Sequence, residues 1–391
     1  MRVTIIGQGY VGLPLALAAS RAGHYVVGID SNPQLVAQLL VGNSPILDIA
    51  DSEIDAAINS GLFKVTTEYS SIKDAEIVVI CVPTPLDESH NPDLTYLESA
   101  IREISAHLAP GALVINESTV APGTTRNLLA AALESAHIPF DLAYSPERID
   151  PANKDWNVSN TPKLVAGLTL TATERALSFY QSFVDSVSTG SSLEVIETAK
   201  LLENSFRLIN ISFINEMAQF CAALGIDVRE VIEAAATKPY GFMPFYPGAG
   251  VGGHCIPVDP MYLSTKAREL GSPSRFIELA QEINLSLPSY FAGVAKGMLG
   301  ELVGKRILIV GVAYKPDVAD SRETPAWGLI TTLRQAGALV AWHDDLVKNW
   351  NGETSVALDS SFDLAILANP HSHTNLELLT DTPMLNTRGG F

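Results

Sequence analysis

Residues 2–12, RVTIIGQGYVG, predict the fold of this chain. An apolar run at residues 2–6 is followed by the turn GQGYVG, by LPLALAASRAGH with helical spacing, and by a second apolar run, YVVGID. A strand, a G-x-G-x-x-G turn, a helix and a strand form the dinucleotide-binding unit of α/β proteins. In that unit Gly7 permits the tight turn, Gly9 lets a pyrophosphate approach the backbone, and Gly12 lets the helix pack closely.

Asp30 ends the second apolar run. A carboxylate at this strand end accepts hydrogen bonds from the adenosine ribose hydroxyls and repels a 2′-phosphate. The sequence therefore predicts NAD, in preference to NADP, as the cofactor. A glycine-rich turn that holds no nucleotide is the plainer alternative, and the acid at the expected strand end argues against it.

Three further apolar runs predict strands that end in polar loops. AEIVVICVPTP ends with Pro83 and Thr84, GALVINEST ends with Ser118 and Thr119, and FDLAYSPERID places Glu147 just beyond its strand. Because ligands bind at the carboxyl edge of a parallel sheet, we expect these loops to line a binding site.

Residues 193–224 contain no proline or glycine and predict one helix, roughly 48 Å long at 1.5 Å per residue. The segment is apolar almost all round, so we expect it to be buried, either between two domains or in a dimer interface. Lys200 and Asn204 lie four residues apart and share a face. An unpaired ammonium is costly in such a setting, which points to a functional pair.

A second α/β unit begins at RILIVGVAY and continues through GALVAWHDD and DLAILAN. Thr324 and Pro325 are typical first residues of a helix between two of these strands. The unit lacks the G-x-G-x-x-G turn, and a loop rich in charge, Lys315 to Arg322, either binds another ligand or is simply solvated.

The predicted fold class is α/β, with two Rossmann-like parallel-sheet domains joined by a central helical segment that contains one long helix. We expect domain boundaries at 1–192, 193–298 and 299–391. The first domain binds NAD, and the second carries dimer contacts and a cysteine loop.

The composition excludes several classes of function. The chain has 25 Lys+Arg against 43 Asp+Glu, a formal charge of −18, and no basic run, so we expect neither nucleic acid nor anionic membrane as a partner. The start MRVTIIGQGY has no secretion signal, and no apolar run is long enough to span a membrane, which predicts a cytoplasmic protein. Three cysteines at unrelated spacings predict neither a disulfide framework nor a metal site.

Cys255 stands apart from the other two cysteines, which lie in apolar surroundings. It follows a glycine-rich loop and a histidine, in GVGGHCIPVD, four residues before Asp259. Glycines let a backbone come close to a ligand, so we interpret Cys255 as an accessible nucleophile in a reducing compartment.

Seven segments in order, GQGYVG, CVPTP, ESTVAPGTT, YSPERIDPANK, AKLLENSFRLINISFINE, GVGGHCIPVDP and GVAYKPDVADSRETPA, resemble the UDP-glucose/GDP-mannose dehydrogenase family. The resemblance covers residues 1 to about 330, with a weaker tail. It implies that the primary alcohol at C6 of a nucleotide sugar is oxidised to the carboxylate by two hydride transfers to NAD. It also implies a UDP-sugar site in the C-terminal domain, a place in polysaccharide biosynthesis, and a homodimer built on the long helix.

The resemblance implies a role for each matching residue. Cys255 captures the aldehyde as a thiohemiacetal whose oxidation gives a thioester, and water then hydrolyses it. Lys200 and Asn204 stabilise the oxyanion, and Asp259 assists proton removal or orients water. Glu147 and Thr119 position the hydrolytic water. The implied cofactor contacts are Gly7, Gly9, Tyr10, Val11, Gly12, Asp30, Pro83, Thr84, Ser118, Thr119 and Arg322; the implied substrate contacts are Glu147, Arg148, Lys200, Asn204, Tyr246, Gly252, Lys315 and Arg388.

Two positions depart from the glucose-specific members, which commonly have a lysine where this chain has Val258 and an arginine where it offers Lys238. The segments YSPERIDPANK and KPYGFMPFYPGAGVGGHCIPVDPMYLSTKARE are more similar to the members that act on UDP-N-acetylhexosamines. UDP-N-acetylglucosamine is therefore the expected substrate, with UDP-N-acetylmannosamine and UDP-glucose as alternatives.

Two functions from other classes remain open at this point. A nucleotide-sugar sensor without turnover would keep the glycine turn but has no need of the thiol. A hydroxy-acid dehydrogenase of similar layout needs the helical Lys and Asn but not the cysteine, and it forms one NADH per substrate instead of two.

Overall fold

The computed structural model describes residues 1–46, 49–150, 153 and 155–389. Part of the YSPERIDPANK motif (residues 151, 152 and 154) and the last two residues of the chain lie outside this set. The chain forms two compact units, Met1–Leu202 and Glu203–Phe391. The expected division into three domains stays a prediction.

The first unit is built on a sheet whose described strands are β1 (Arg2–Ile6), β2 (Tyr25–Ile29), β3 (Phe63–Thr66), β4 (Ile77–Ile80), β5 (Ala112–Asn116), β6 (Phe140–Tyr144), β7 (Lys163–Gly167) and β8 (Val187–Thr189). Its strand order is β3-β2-β1-β4-β5-β6-β7-β8. β1 to β6 run parallel, whereas β7 is antiparallel to β6. The direction in which successive strands are added reverses between β1 and β4. In sheets of this kind a ligand binds beyond the carboxyl ends of the strands at such a point.

Helices cover both faces of this sheet. They are α1 (Gly12–Arg21), α2 (Pro33–Leu40), α3 (Asp51–Asn59), α4 (Thr95–His107), α5 (Ala131–Glu134) and α6 (Leu170–Tyr180), with a 3₁₀ turn at Tyr69–Asp74 and a π-helical turn at Thr125–Ala130. Two apolar cores result, one on each face of the sheet, and they hold the strands rigidly beneath the loops at the carboxyl edge.

The helix α7 (Leu193–Leu224) has the bounds that the sequence predicts, and it carries the chain from the first unit into the second. The helix is only partly buried within its own chain, and the expected burial between two domains or in a dimer interface stays a prediction. A stripe of large apolar side chains is about half exposed, because no part of the described chain covers it: Val195 (48%), Leu202 (62%), Phe206 (45%), Phe213 (55%) and Phe220 (55%).

The second unit contains α8 (Val228–Ala236), α9 (Asp259–Glu269), α10 (Arg275–Leu299), α11 (Pro325–Gln335) and a 3₁₀ turn at Leu376–Leu379. Its strands are β9 (Arg306–Val310), β10 (Leu339–His343), β11 (Asn349–Trp350), β12 (Glu353–Thr354), β13 (Leu364–Leu367) and β14 (Met384–Asn386). The parallel sheet has the order β10-β9-β13-β14. Thr324 caps α11 through its hydroxyl, with Pro325 in the first turn, as the sequence predicts.

The described helices include none that is both long and apolar enough to cross a membrane. The fold class, two Rossmann-like sheets with one long helix, is the one that the sequence predicts.

Candidate active site

The glycine turn of the first unit fits a dinucleotide. Gly7 has φ +89°, and a Cβ there would lie 2.5 Å from the Cys81 carbonyl oxygen. A Cβ on Gly12 would overlap the carbonyl oxygen of Gly7, whereas Gly9 has open space around it. No side chain caps the start of α1 at Val11, so no side chain competes with a phosphate at this helix end. A pyrophosphate can therefore approach the backbone at Gly9.

Asp30 lies directly beyond β2, where the ribose-binding acid is expected. Its Oδ2 accepts a hydrogen bond from the Gln8 N–H (2.8 Å), and its Oδ1 accepts one from the Asn32 N–H (2.9 Å). These two bonds orient the carboxylate against the glycine turn. The group in this place favours a cofactor without a 2′-phosphate.

The loops after β4 and β5 lie at the same edge of the sheet. Pro83 and Thr84 follow β4, while Ser118 and Thr119 follow β5. The Ser118 hydroxyl donates a hydrogen bond to the Val82 carbonyl (2.7 Å), which ties the two loops together. Tyr10, half-buried within the glycine turn, packs against the core of the first unit.

Glu147, beyond β6, joins this edge and is held by its own loop. Its Oε1 accepts hydrogen bonds from the N–H groups of Arg148 and Ile149, both at 2.6 Å. Its backbone carbonyl accepts a hydrogen bond from Lys200 Nζ at 2.6 Å. Lys200 is only 7% exposed, so this bond fixes a buried ammonium beside the Glu147 loop. The Arg148 guanidinium donates to the Pro162 carbonyl (2.7 Å).

Sequence reasoning missed the group behind Glu147. Lys163, at the start of β7, lies with its Nζ 2.9 Å from Glu117 Oε1 and 3.5 Å from Glu147 Oε2. The Tyr180 hydroxyl donates to the same Glu117 oxygen. The only signal in the sequence is a glutamate directly after the apolar strand β5, in GALVINEST.

Cys255, in the second unit, is exposed, in contrast to the buried Cys221. Gly253 has φ +82°, and its N–H donates to the Arg322 carbonyl (3.3 Å). A Cβ on Gly252 would come within 2.7 Å of the Glu323 carbonyl oxygen. The glycines before Cys255 are therefore needed by the packing of this loop on the chain itself, in addition to any ligand.

Asn204 and Asp259 form a buried pair in the second unit. The Asn204 amide donates to Asp259 Oδ2 at 2.6 Å, and the two residues are 6% and 3% exposed. Asp259 is the first residue of α9, where the helix dipole favours a negative charge. Its N–H donates to the Cys255 carbonyl (2.9 Å), so the acid and the thiol share one turn of chain.

His254 precedes the thiol and is a neutral imidazole at pH 7. Desolvation by the surrounding loop lowers its pKa to about 4, and the nearby Arg322 guanidinium adds to this shift, although part of the residue is exposed. Arg322 in turn is paired with Asp320, with Nη2 2.5 Å from Oδ2. The hydrogen bonds from Arg322 hold the pKa of Asp320 below its usual value, against the effect of burial.

Lys315 lies in the loop after β9, and this loop is anchored by two residues that the sequence did not indicate. Asp344, directly after β10, accepts hydrogen bonds from the N–H groups of Val312 and Ala313 (2.8 and 3.0 Å). His371 Nε2 lies 2.8 Å from Asp344 Oδ1 and its Nδ1 accepts from the Asp317 N–H. Asp344 directly follows β10 in the second unit, as Asp30 directly follows β2 in the first.

Arg388 and Tyr246 are the remaining predicted contacts. The Arg388 guanidinium donates to the Asn369 side-chain oxygen, and its carbonyl accepts a hydrogen bond from Arg229 Nε (2.8 Å). Tyr246 is 50% exposed.

The structure thus gathers the predicted residues in two places. In the first unit the glycine turn and the loops after β2, β4, β5 and β6 share the carboxyl edge of one sheet. In the second unit Cys255, Asp259 and Asn204 are joined by hydrogen bonds, and the Gly252–Gly253 turn packs on the Arg322 loop. A dinucleotide sheet of this order, with an acid at the end of β2, is typical of an NAD-binding domain, and the exposed Cys255 is a candidate nucleophile.

The chain belongs to the UDP-glucose/GDP-mannose dehydrogenase family. The NAD binding domain of that family matches residues 1–184, its central domain residues 194–286, and its UDP binding domain residues 308–374. The protein is therefore an NAD-dependent nucleotide-sugar 6-dehydrogenase, as the sequence predicts, and its C-terminal part is a UDP binding domain.

Relatives that are named for different sugars have similar sequence identity to this chain. The UDP-N-acetyl-D-glucosamine 6-dehydrogenase of Pseudomonas aeruginosa is 35% identical over 389 residues, which cover 95% of this chain and 91% of that protein. The UDP-N-acetyl-D-mannosamine dehydrogenase of Pyrococcus horikoshii is 33% identical over 384 residues, covering 95% and 90%. The solved structure of the UDP-D-ManNAc dehydrogenase from P. horikoshii superposes with a TM-score of 0.90 at 31% identity, covering 99% of this chain and 95% of that one.

Proposed function

We propose that this enzyme oxidises the C6 alcohol of a UDP-N-acetylhexosamine to the uronate, with UDP-N-acetylglucosamine as the preferred substrate. The observation that carries the proposal is the exposed Cys255 on a rigid glycine loop, one turn of chain from the buried Asp259–Asn204 pair. A two-electron dehydrogenase has no use for such a thiol, whereas a four-electron oxidation needs a group that retains the aldehyde.

The glycine turn and Asp30 would hold NAD, and a separate NAD molecule would supply the hydride acceptor for each of the two oxidations. Cys255 adds through its sulfur to the aldehyde carbon, and the second oxidation leaves an acyl group on that sulfur as a thioester. Water then adds to the acyl carbon, the carbon–sulfur bond breaks, and the thiolate is restored with release of the acid. His254 is neutral at pH 7 and supplies no positive charge to the thiolate.

Asp259 assists proton removal or orients water near the thiol. Its carboxylate is buried, and the Asn204 amide fixes one of its oxygens at 2.6 Å. Lys200 supplies a buried cation for oxygen that becomes negative during oxidation, and its bond to the Glu147 carbonyl fixes the ammonium in place. Glu147 and Thr119 position the water that cleaves the thioester.

The nucleotide end of the substrate contacts Lys315 and Arg388 in the second unit, while Arg148, Tyr246 and Gly252 approach the sugar. Pro83, Thr84, Ser118, Tyr10 and Val11 line the cofactor, and Arg322 adds a contact to it. These assignments rest on the family motifs.

The sugar preference rests on an aromatic segment and on the relatives. Tyr240, Phe242, Met243 and Tyr246 are 72%, 39%, 61% and 50% exposed, an apolar surface that suits an acetamido methyl group. One methyl contact contributes roughly 1–3 kcal/mol, so discrimination against UDP-glucose is moderate unless the amide is also hydrogen-bonded. The relative at 35% identity acts, by its name, on UDP-N-acetyl-D-glucosamine, and the one at 33% on the mannosamine epimer.

The exposed stripe on α7 supports a homodimer. Phe206, Phe213 and Phe220 recur at seven-residue spacing on one side of the helix and are each about half exposed. A second copy of the chain would bury them. Free thiols at all three cysteines suit a reducing compartment, which we infer to be the cytoplasm.

The test is a comparison of kcat/KM for UDP-N-acetylglucosamine, UDP-N-acetylmannosamine, UDP-glucose and GDP-mannose, with product identified by mass. We expect the first to be preferred. A clear preference for UDP-glucose or GDP-mannose would overturn the sugar assignment and leave the four-electron chemistry in place, whereas preference for the mannosamine epimer would correct only the configuration at C2.

A further inference from the structure

Behind Glu147 lies a buried ion cluster that the proposed chemistry does not use. Lys163 is 3% exposed and lies between two carboxylates, with Nζ 2.9 Å from Glu117 and 3.5 Å from Glu147. The Lys163 ammonium also lies over the Tyr180 ring, 4.9 Å from its centre. Glu117 is 2% exposed, whereas the Glu147 side chain is 14% exposed, so Glu147 is the outer carboxylate of the cluster.

The inner end of this cluster is held tightly. Glu117 Oε1 accepts from both Lys163 and the Tyr180 hydroxyl, while its Oε2 is buried and has no partner among the residues that the structure describes. Burial raises the pKa of Glu117 to about 7, and the Lys163 ammonium works against that shift. Lys163 therefore lies between two carboxylates, the buried and fixed Glu117 and the more exposed Glu147, to which we assign a function.

Such a cluster is not an efficient way to stabilise a fold. A buried ion pair replaced by apolar groups of similar size often leaves stability unchanged or improved, because desolvation of the charges offsets their attraction. The outer carboxylate, however, is fixed at three points: two backbone N–H groups at 2.6 Å on Oε1 and the ammonium on Oε2. That arrangement suits a carboxylate that must stay in one orientation.

We propose that Lys163, anchored by Glu117 and Tyr180, is a positioning residue that holds the Glu147 carboxylate aimed at the water that cleaves the thioester. The inference rests on the proposed role of Glu147. In that step the water oxygen bonds to the acyl carbon, one water proton passes to Glu147, and the carbon–sulfur bond breaks to leave the Cys255 thiolate. Lys163 touches no reacting atom, and its effect passes through Glu147.

The charges that face Glu147 come from three elements. Lys163 lies on β7, Glu117 lies just beyond β5 and acts through Lys163, and Lys200 lies on α7 and bonds the Glu147 carbonyl. The Cys81 thiol, at the end of β4, stays neutral because burial and the charge of Glu117 raise its pKa well above its ordinary value. Lys163 is therefore the cation that bears directly on the Glu147 side chain within this group.

The experiment uses Lys163→Met, the double variant Lys163→Met/Glu117→Gln, and Lys163→Arg, with the exposed Lys73→Met as the control. Single-turnover mixing measures each NADH step and the release of acid, and intact mass measures acyl adduct on Cys255. In both Met variants we expect the hydrolysis to slow roughly tenfold to a hundredfold and the adduct to accumulate. NADH formation stays within about twofold, because the oxidation steps do not use Glu147.

Rescue by a conservative variant separates this role from a structural one. Lys163→Arg keeps the positive charge beside Glu147 and should restore the hydrolysis rate to within roughly threefold of the wild type.

Each outcome is informative. If Lys163→Met does not fold, the double variant decides, since it leaves no unpaired buried charge. A folded double variant that hydrolyses the thioester at the wild-type rate, or that slows the oxidations and the hydrolysis equally, overturns the proposal. The proposed function fails separately, if the wild-type enzyme forms no acid with any nucleotide sugar.

Discussion

Asp344→Asn should lower the free energy of unfolding of the second unit more than any substitution of a surface residue. The Asp344 side chain is fully buried, and its two oxygens accept five hydrogen bonds. The donors are the Val312 and Ala313 N–H groups on Oδ2 (2.8 and 3.0 Å), and His371 Nε2 with the Leu346 and Val347 N–H groups on Oδ1 (2.8, 2.9 and 2.8 Å).

The size of the effect follows from this geometry. Asparagine has one acceptor oxygen, so its NH₂ group must face either two or three of the donors, whichever way the amide turns. At least two hydrogen bonds to a charged acceptor are lost, each contributing roughly 1.5–3 kcal/mol. Because the loop can relax in part, we expect a loss of about 3–5 kcal/mol in the free energy of unfolding.

The same carboxylate gives the second unit an acid dependence. Burial raises the pKa of Asp344, but the hydrogen bonds from His371 and the backbone N–H groups outweigh that effect and hold the pKa at about 2, against an ordinary value of 3.8. A lowered pKa means that the stabilisation is present above pH 4 and is lost as the pH falls from about 4 to about 2. At roughly 1.4 kcal/mol per pH unit the loss is about 2 kcal/mol.

Tryptophan fluorescence during urea unfolding can measure both effects in this unit. Three of the four tryptophans, Trp327, Trp342 and Trp350, lie in it, so a Trp156→Phe background reports on it alone. The control is the exposed Asp359→Asn, which should change stability by less than about 0.5 kcal/mol. A loss below about 1 kcal/mol in Asp344→Asn at pH 7, or an acid limb between pH 4 and 2 that the variant retains, would refute the reasoning.

Three further predictions concern the cofactor and the assembly. Gly12→Ala places a Cβ on the Gly7 carbonyl oxygen, so NADH affinity by calorimetry should fall at least roughly tenfold while UDP binding persists; equal NADH affinity would contradict the turn geometry. Asp30→Ala removes the carboxylate that repels a 2′-phosphate, so the ratio of kcat/KM for NAD to that for NADP should fall roughly tenfold or more, and an unchanged ratio would count against the assignment. Phe213→Glu should dissociate the dimer in sedimentation, with the exposed Tyr96→Glu on α4 as control; a wild-type monomer, or an intact variant dimer, would contradict the proposed interface.

Local patterns in the sequence predict much of this fold. The run from β1 through the glycine turn to Asp30 is a single contiguous signal, and the bounds of α7 follow from the absence of proline and glycine over residues 193–224. Cys255 is recognisable because its neighbours are glycines, a local feature of the chain. Each of these signals lies within about thirty residues of sequence.

Side-chain pairs between distant segments could not be predicted in this way. Lys163 meets Glu117 because β7 turns back antiparallel beside β6, a topology that no local pattern encodes. Asp344 and His371 are 27 residues apart and meet only when β13 packs beside β9. The exposed stripe on α7 could not be predicted for another reason. The apolar character of a helix does not show which of its sides the rest of the chain leaves uncovered.

The central claim is that one site performs two oxidations through a thiol, and the ratio of NADH to acid tests it most directly. UDP-N-acetylglucosamine is converted to completion by the wild-type enzyme, and NADH and uronate are quantified in the same sample. We predict two NADH per uronate with no free aldehyde, and Cys255→Ser should form little uronate while binding NAD and the nucleotide sugar with near wild-type affinity. One NADH per product, or uronate formed at near wild-type rate by Cys255→Ser, would contradict the account.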